Sequence, residues 1–167
     1  MVKGQLIGQA FIFILAALVF ILIISYGYRS INYLLARQDE ATMLDVKTDI
    51  ETAVENVRHD FQSVRKVTLR LPAKYQGMCF FEYASCESVT HPVLRDGNRE
   101  VVVDWAKDAC SVGSANVFIV PRTRDLDLPD IQVASSQKYV CVPNNGGVVL
   151  RLEGTGRTVK VSAWVSP

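Results

Sequence analysis

The chain has 167 residues, 49% of them hydrophobic, and a net charge of +1. That length holds one modest domain plus an anchor, not two full domains. The near-neutral charge, with no run of like charges, gives no sign of nucleic-acid binding, and no low-complexity stretch or solenoid repeat is present.

The apolar content is concentrated before Arg29. From Ala10 to Ile24 every residue is apolar, and the mostly apolar stretch runs from Leu6 to Tyr28. As a helix that stretch of about 23 residues spans about 34 Å, against a hydrocarbon core of about 30 Å. A helix apolar on all faces has no single partner surface in a small domain, so lipid or a bundle of copies must solvate it. Tyr26, Tyr28 and Tyr33 stand where an interfacial aromatic belt lies, and Arg29 follows the core. The other reading of such a segment is a cleaved secretory signal, but the run exceeds the usual apolar region and no small-x-small cleavage site follows it. Arg29 and Arg37 pull the C-terminal part towards the cytoplasm by the positive-inside rule. The cysteines pull it the other way.

Those cysteines are Cys79, Cys86, Cys110 and Cys141, an even number confined to the part after the anchor. Disulfides in an oxidising compartment fit this best. Buried reduced thiols are the alternative, and zinc is disfavoured because no CxxC pair occurs. Four cysteines allow three connectivities. Cys79 with Cys86 and Cys110 with Cys141 is the pairing expected here, on the grounds that the first closes a small local loop.

The first ten residues read Met1-Val2-Lys3-Gly4-Gln5-Leu6-Ile7-Gly8-Gln9-Ala10. This start resembles the class III signal peptide of archaeal type IV pilin-like proteins. The resemblance implies a leader of residues 1–4, with Lys3 as its basic residue, cut by a prepilin peptidase between Gly4 and Gln5. The transmembrane helix, residues 5–28, then stays with the mature protein. It also implies polymerisation with copies of itself or related pilins. Many members carry Glu at the fifth mature position, where it neutralises the amino terminus of a neighbour. Here that position is Gln9, which can hydrogen-bond but brings no charge. Small residues Gly8, Ala10, Ala16 and Ala17 would let neighbouring helices approach.

Beyond the anchor the chain turns acidic and amphipathic. Ile50, Val54, Val57, Phe61 and Val64 fall on one stripe, which predicts that the helix continues over 29–66. Residues 67–167 read as a β-rich extracytoplasmic head. Strands are expected at Val67–Leu71, Met78–Tyr83 and Asn116–Val120, and Glu100–Val103 reads as another strand or as the start of a short helix through Trp105. The segment from Arg122 to Ser136 reads as a polar surface loop. Lys138–Val142 and Val148–Leu152, joined by Pro143-Asn144-Asn145-Gly146-Gly147, read as a hairpin, and Thr158–Val165 completes an antiparallel meander. The expected fold is therefore α+β: a long N-terminal helix, transmembrane then amphipathic, packed on a small antiparallel sheet.

No nucleophile elbow, P-loop, dinucleotide fingerprint or metalloprotease motif occurs. Gly154-Thr155-Gly156 reads as a turn between strands. Asp125, Asp127 and Asp130 lack the ordered calcium-loop pattern and read as a solvated acidic loop. His59 and His91 read as polar surface residues, and Trp105 and Trp164 as core or rim aromatics. The expectation is a non-enzymatic membrane protein with its head outside, without cofactor or metal and without a nucleic-acid partner. Its function is either that of a filament subunit or that of a single-pass binding protein that stays in the bilayer.

Overall fold

The structure, a computed structural model, describes residues 3–164, with backbone alone at residues 3–10, 35, 36, 38 and 39. Its first element is the helix α1, Lys3–Arg58. The chain divides into two compact units, Met1–Ala41 and Thr42–Pro167. The first is α1 alone, and its described side chains are exposed apart from half-buried Gly27.

In the second unit the remaining turns of α1 bury Met43, Val46, Ile50, Val54 and Val57. The spacing of three and four places them on one stripe. That stripe shares a core with two four-stranded sheets. One sheet has the order β1 (Val64–Leu69), β9 (Val148–Gly154), β10 (Val159–Ala163), β7 (Ile131–Val133). It is antiparallel except where β7 runs parallel to β10. The other has the order β6 (Asp125–Leu126), β5 (Val117–Val120), β2 (Gly77–Phe81), β8 (Tyr139–Pro143) and is antiparallel throughout. The fold is α+β, with an apolar N-terminal helix and antiparallel-rich sheets.

The second sheet is covered on both faces. Met78, Phe80, Val117 and Ile119 face the core shared with α1. Cys79, Phe81, Phe118 and Val120 face a second core roofed by a 3-10 helix, Tyr83–Ser88, by α2, Asp104–Ser111, and by the hairpin of β3, Val93–Asp96, and β4, Arg99–Val102. This explains why β2 and β5 are apolar at successive positions rather than alternating.

Three sequence expectations are corrected here. The helix does not reach residue 66. It ends at Arg58, and Phe61 and Val64 are 71% and 46% exposed instead of continuing the stripe. The cause is tertiary: Gln62 N–H donates to Gly154 O, and Gly154 N–H donates to Ser63 O, both at 2.9 Å. These bonds turn the chain into β1, and pairing with β9 overrides the helical pattern.

The segment from Arg122 to Ser136 is not a polar loop. It contributes β6 and β7 and buries Leu126, Leu128, Ile131 and Val133. Asn116, itself buried, holds it by accepting from Leu128 N–H and donating to Leu128 O, both at 2.8 Å.

The third correction concerns the expected hairpin at Pro143–Gly147. β8 pairs with β2 and β9 pairs with β1, so this segment crosses between the two sheets. Its Asn144 turns inward, and Nδ2 donates to the carbonyls of Leu71, Pro72 and Tyr75 at 2.9–3.1 Å. One amide thus clamps the connection between β1 and β2. Asn144→Ala leaves three carbonyls without this donor and should lower the stability of the folded head by about 2 kcal/mol, read by urea unfolding.

Candidate functional site

The segment Phe11–Leu34 is long and apolar enough to cross a membrane, with a mean hydropathy of 2.6 and none of its apolar run buried. Ala16 and Ala17 lie exposed on this helix. Gly4, Gln5, Gly8, Gln9 and Ala10 share its helical backbone, but their side chains lie outside the described residues. The chemistry changes at the end of the apolar run. Tyr26, Arg29, Ser30, Tyr33 and Leu34 fall three and four apart and line one shallow depression. Arg37 reaches back one turn. Its Nη2 and Nε donate to Tyr33 Oη at 2.8 and 3.1 Å, and its guanidinium lies 5.3 Å from the ring centroid. Aromatic and guanidinium groups so placed suit a boundary between an apolar medium and water.

All four cysteines are oxidised, but not in the expected pairs. Cys79 joins Cys141, and Cys86 joins Cys110. Cys79 and Cys141 stand opposite each other in the register of β2 and β8, with Cα atoms 4.0 Å apart. That is the closely spaced, non-hydrogen-bonded kind of pair. Cys86 and Cys110 both point into the second core and tie the 3-10 helix to α2. Closeness in sequence was a poor guide because β2 carries Cys79 towards β8 and away from the segment that holds Cys86. Two disulfides in a small head suggest an extracellular or otherwise oxidising environment.

The titratable residues are dispersed. Asp125 pairs with Arg122 at 2.7 Å, Asp130 with Arg58 at 2.8 Å, and Asp127 accepts from Tyr83 Oη at 2.7 Å. Burial, then the hydrogen bond and charge of Asp127, push the ionisation of the Tyr83 phenol well above its ordinary value. The three aspartates therefore face three separate partners. His59 lies 3.2 Å from Glu55 and His91 3.4 Å from Asp104, all on exposed side chains. Among the described residues no three His, Cys, Asp or Glu side chains form a group that could hold a metal ion. The Thr155 hydroxyl lies 2.8 Å from that of Thr158 and accepts from Thr158 N–H, so the turn between β9 and β10 is Thr155–Thr158, and Glu153 and Gly154 belong to β9.

No known protein family, characterised protein or solved structure matches this chain. Function must therefore be argued from the residues themselves.

A groove of about 350 Å³ runs beside the outer edge of β8, between Val93 and Arg95 on one side and Tyr139 and Cys141 on the other. Its rim is Thr90, His91, Ser135 and Gln137. The rim carries the hydroxyls of Thr90 and Ser135 and the imidazole of His91, whose described partner is Asp104. The sequence reading missed this groove because it placed β8 inside a meander. It also missed how charge is divided over the head, although the alternation in Val148–Gly154 and Val159–Ala163 carried that signal.

Proposed function

We propose that the chain is a membrane-anchored, type IV pilin-like subunit whose N-terminal helix leaves lipid to pack into a surface filament or pseudopilus. One observation carries this reading: Ala10–Ile24 is apolar at every position, and the described side chains of Phe11–Leu34 are exposed. Such a helix is stable in lipid, and equally so in a bundle of like helices, because every backbone group stays bonded within the helix. Transfer between the two exchanges lipid contacts for side-chain packing, and Ala16 and Ala17 permit close approach. The oxidised head supports an outward orientation, with membrane lipid, related subunits and a prepilin peptidase as partners.

Under this reading the leader is removed between Gly4 and Gln5. Mass spectrometry of the membrane-extracted protein should find Gln5 as the first residue, and Gly4→Val should leave the leader in place on at least about nine chains in ten. A wild-type chain that keeps Lys3 ends the processing claim.

Gln9 favours a second reading, in which the protein stays in the bilayer as a single-pass binding protein, because it lacks the charge that pairs with a neighbour's amino terminus. Electron microscopy of sheared surface material labelled with antibody to the head separates the two. Label along filaments supports the first reading, and label confined to membranes supports the second.

A further inference from the structure

We propose that one copy's head docks on the next through two oppositely charged faces of Thr42–Pro167, the exposed side of α1 and the outer face of the β1–β9–β10–β7 sheet. The proposal rests on the filament reading and names the contact it would use.

The two faces point away from each other over most of the head and come together at the β1 edge, where Asp49, Arg65 and Lys66 border one depression. In β9, Val148, Leu150, Leu152 and Gly154 point to the core, and Gly154 meets the last turn of α1. α1 therefore packs on that inner face, and side chains of opposite parity point away from it. On the outer face, Lys66 in β1 stands beside Arg151 in β9, and Glu153 stands beside Lys160 in β10. Arg157 borders the same depression as Lys160. Four cations against Glu153 leave three positive charges on this face. Arg151 reaches Glu153 at 3.5 Å and Lys66 sits over the Trp164 ring. Lys160 and Arg157 have no ion pair among the described residues.

The solvent side of α1 has the reverse sign. Asp45, Asp49, Glu51 and Glu55 against Lys47 and Arg58 leave two negative charges. Lys47 takes Glu51 at 3.5 Å and Arg58 approaches Glu55 at 3.7 Å, while Asp45 and Asp49 have no ion pair among the described residues. The head thus carries excess charge of opposite sign on two faces, and where they come nearest, at the depression bordered by Asp49, Arg65 and Lys66, no ion pair among the described residues joins Asp49 to either cation. Single surface pairs are weak, but matched faces orient an encounter and reject the wrong approach. Because the two faces differ, the contact is head-to-tail, and repeating it builds a ring or an open array rather than a two-fold dimer; the filament reading takes the open array.

The test uses the full chain in its native membrane. K66E/R151E/K160E reverses one face and D45K/D49K/E55K the other. Protease resistance and intact disulfides establish that each head is folded. Each set alone should lower the yield of sheared filaments at least about tenfold, and the two sets combined should recover most of it. Unchanged filament yield from folded single-face variants overturns the docking contact and leaves the filament reading standing, as does failure of the folded combination to recover. If the wild type forms no filaments at all, the filament reading fails first. Carbodiimide cross-linking in membranes of mixed isotopic label then decides the contact by itself. Links from the α1 carboxylates of one copy to Lys66 or Lys160 of another sustain it, and their absence overturns it.

Discussion

A chain that begins at Thr42 should move from the membrane fraction to the aqueous fraction in full, as a folded monomer with both disulfides. The segment removed includes fourteen Leu, Ile, Phe or Val residues between Phe11 and Leu34. At about 0.3–0.6 kcal/mol each in the centre of a membrane, they contribute about 4–8 kcal/mol of insertion. That corresponds to a partition ratio of at least about a thousand, so its loss reads as all or nothing in a fractionation. What remains keeps the whole buried stripe from Met43 to Val57 and every strand. Size-exclusion chromatography and a thiol assay on the unreduced protein check both halves of the claim. A truncated head that still pellets with membranes would show that the head binds them by a surface of its own.

The anchor was legible in the sequence because its signal is local: an apolar residue at nearly every position needs no knowledge of the rest of the chain. The stripe at Ile50, Val54 and Val57 was legible for the same reason. The end of α1 was not. His59 to Lys66 contains neither Gly nor Pro, and Phe61 and Val64 continue the helical spacing. The stop is supplied by Gly154, far along the chain, whose backbone groups bond Gln62 and Ser63. The false hairpin at Pro143–Gly147 arose in the same way. Its composition spells a tight turn, but Asn144 N–H donates to Gln76 O and the side chain binds Leu71, Pro72 and Tyr75, partners that no local pattern announces. Disulfide pairing followed from the same strand order, since Cys141 reaches Cys79 only because β8 lies beside β2. At the candidate site the aromatic and arginine residues after the apolar run were readable one by one. For the separation of charge between α1 and the outer sheet, the alternation in β9 and β10 showed which residues face outward, but the strand order that sets Lys66 beside Arg151 was not readable.

Gly154→Ala should destabilise the isolated head by about 3 kcal/mol, although it adds a single carbon. The reason is space rather than backbone freedom. A Cβ at this position would fall well inside contact distance of two backbone oxygens, Val57 O and Asp60 O. Neither oxygen can withdraw alone. Val57 is fully buried in the core, and Asp60 O already accepts from Ser63 N–H at 3.2 Å. Relief therefore requires the last turn of α1 to lift from β9. That motion strains the bonds between Gly154 and the Gln62–Ser63 turn and opens the core around Val57 and Leu152. Since the first carbon does the damage, Gly154→Val should be little worse than Gly154→Ala, although Val suits a strand far better. Thermal unfolding of the disulfide-intact head from Thr42 should show both variants lowered by about 10 °C or more. Should Ala be tolerated and Val not, side-chain bulk beyond Cβ is what the site excludes, and α1 does not approach β9 as closely as this account requires.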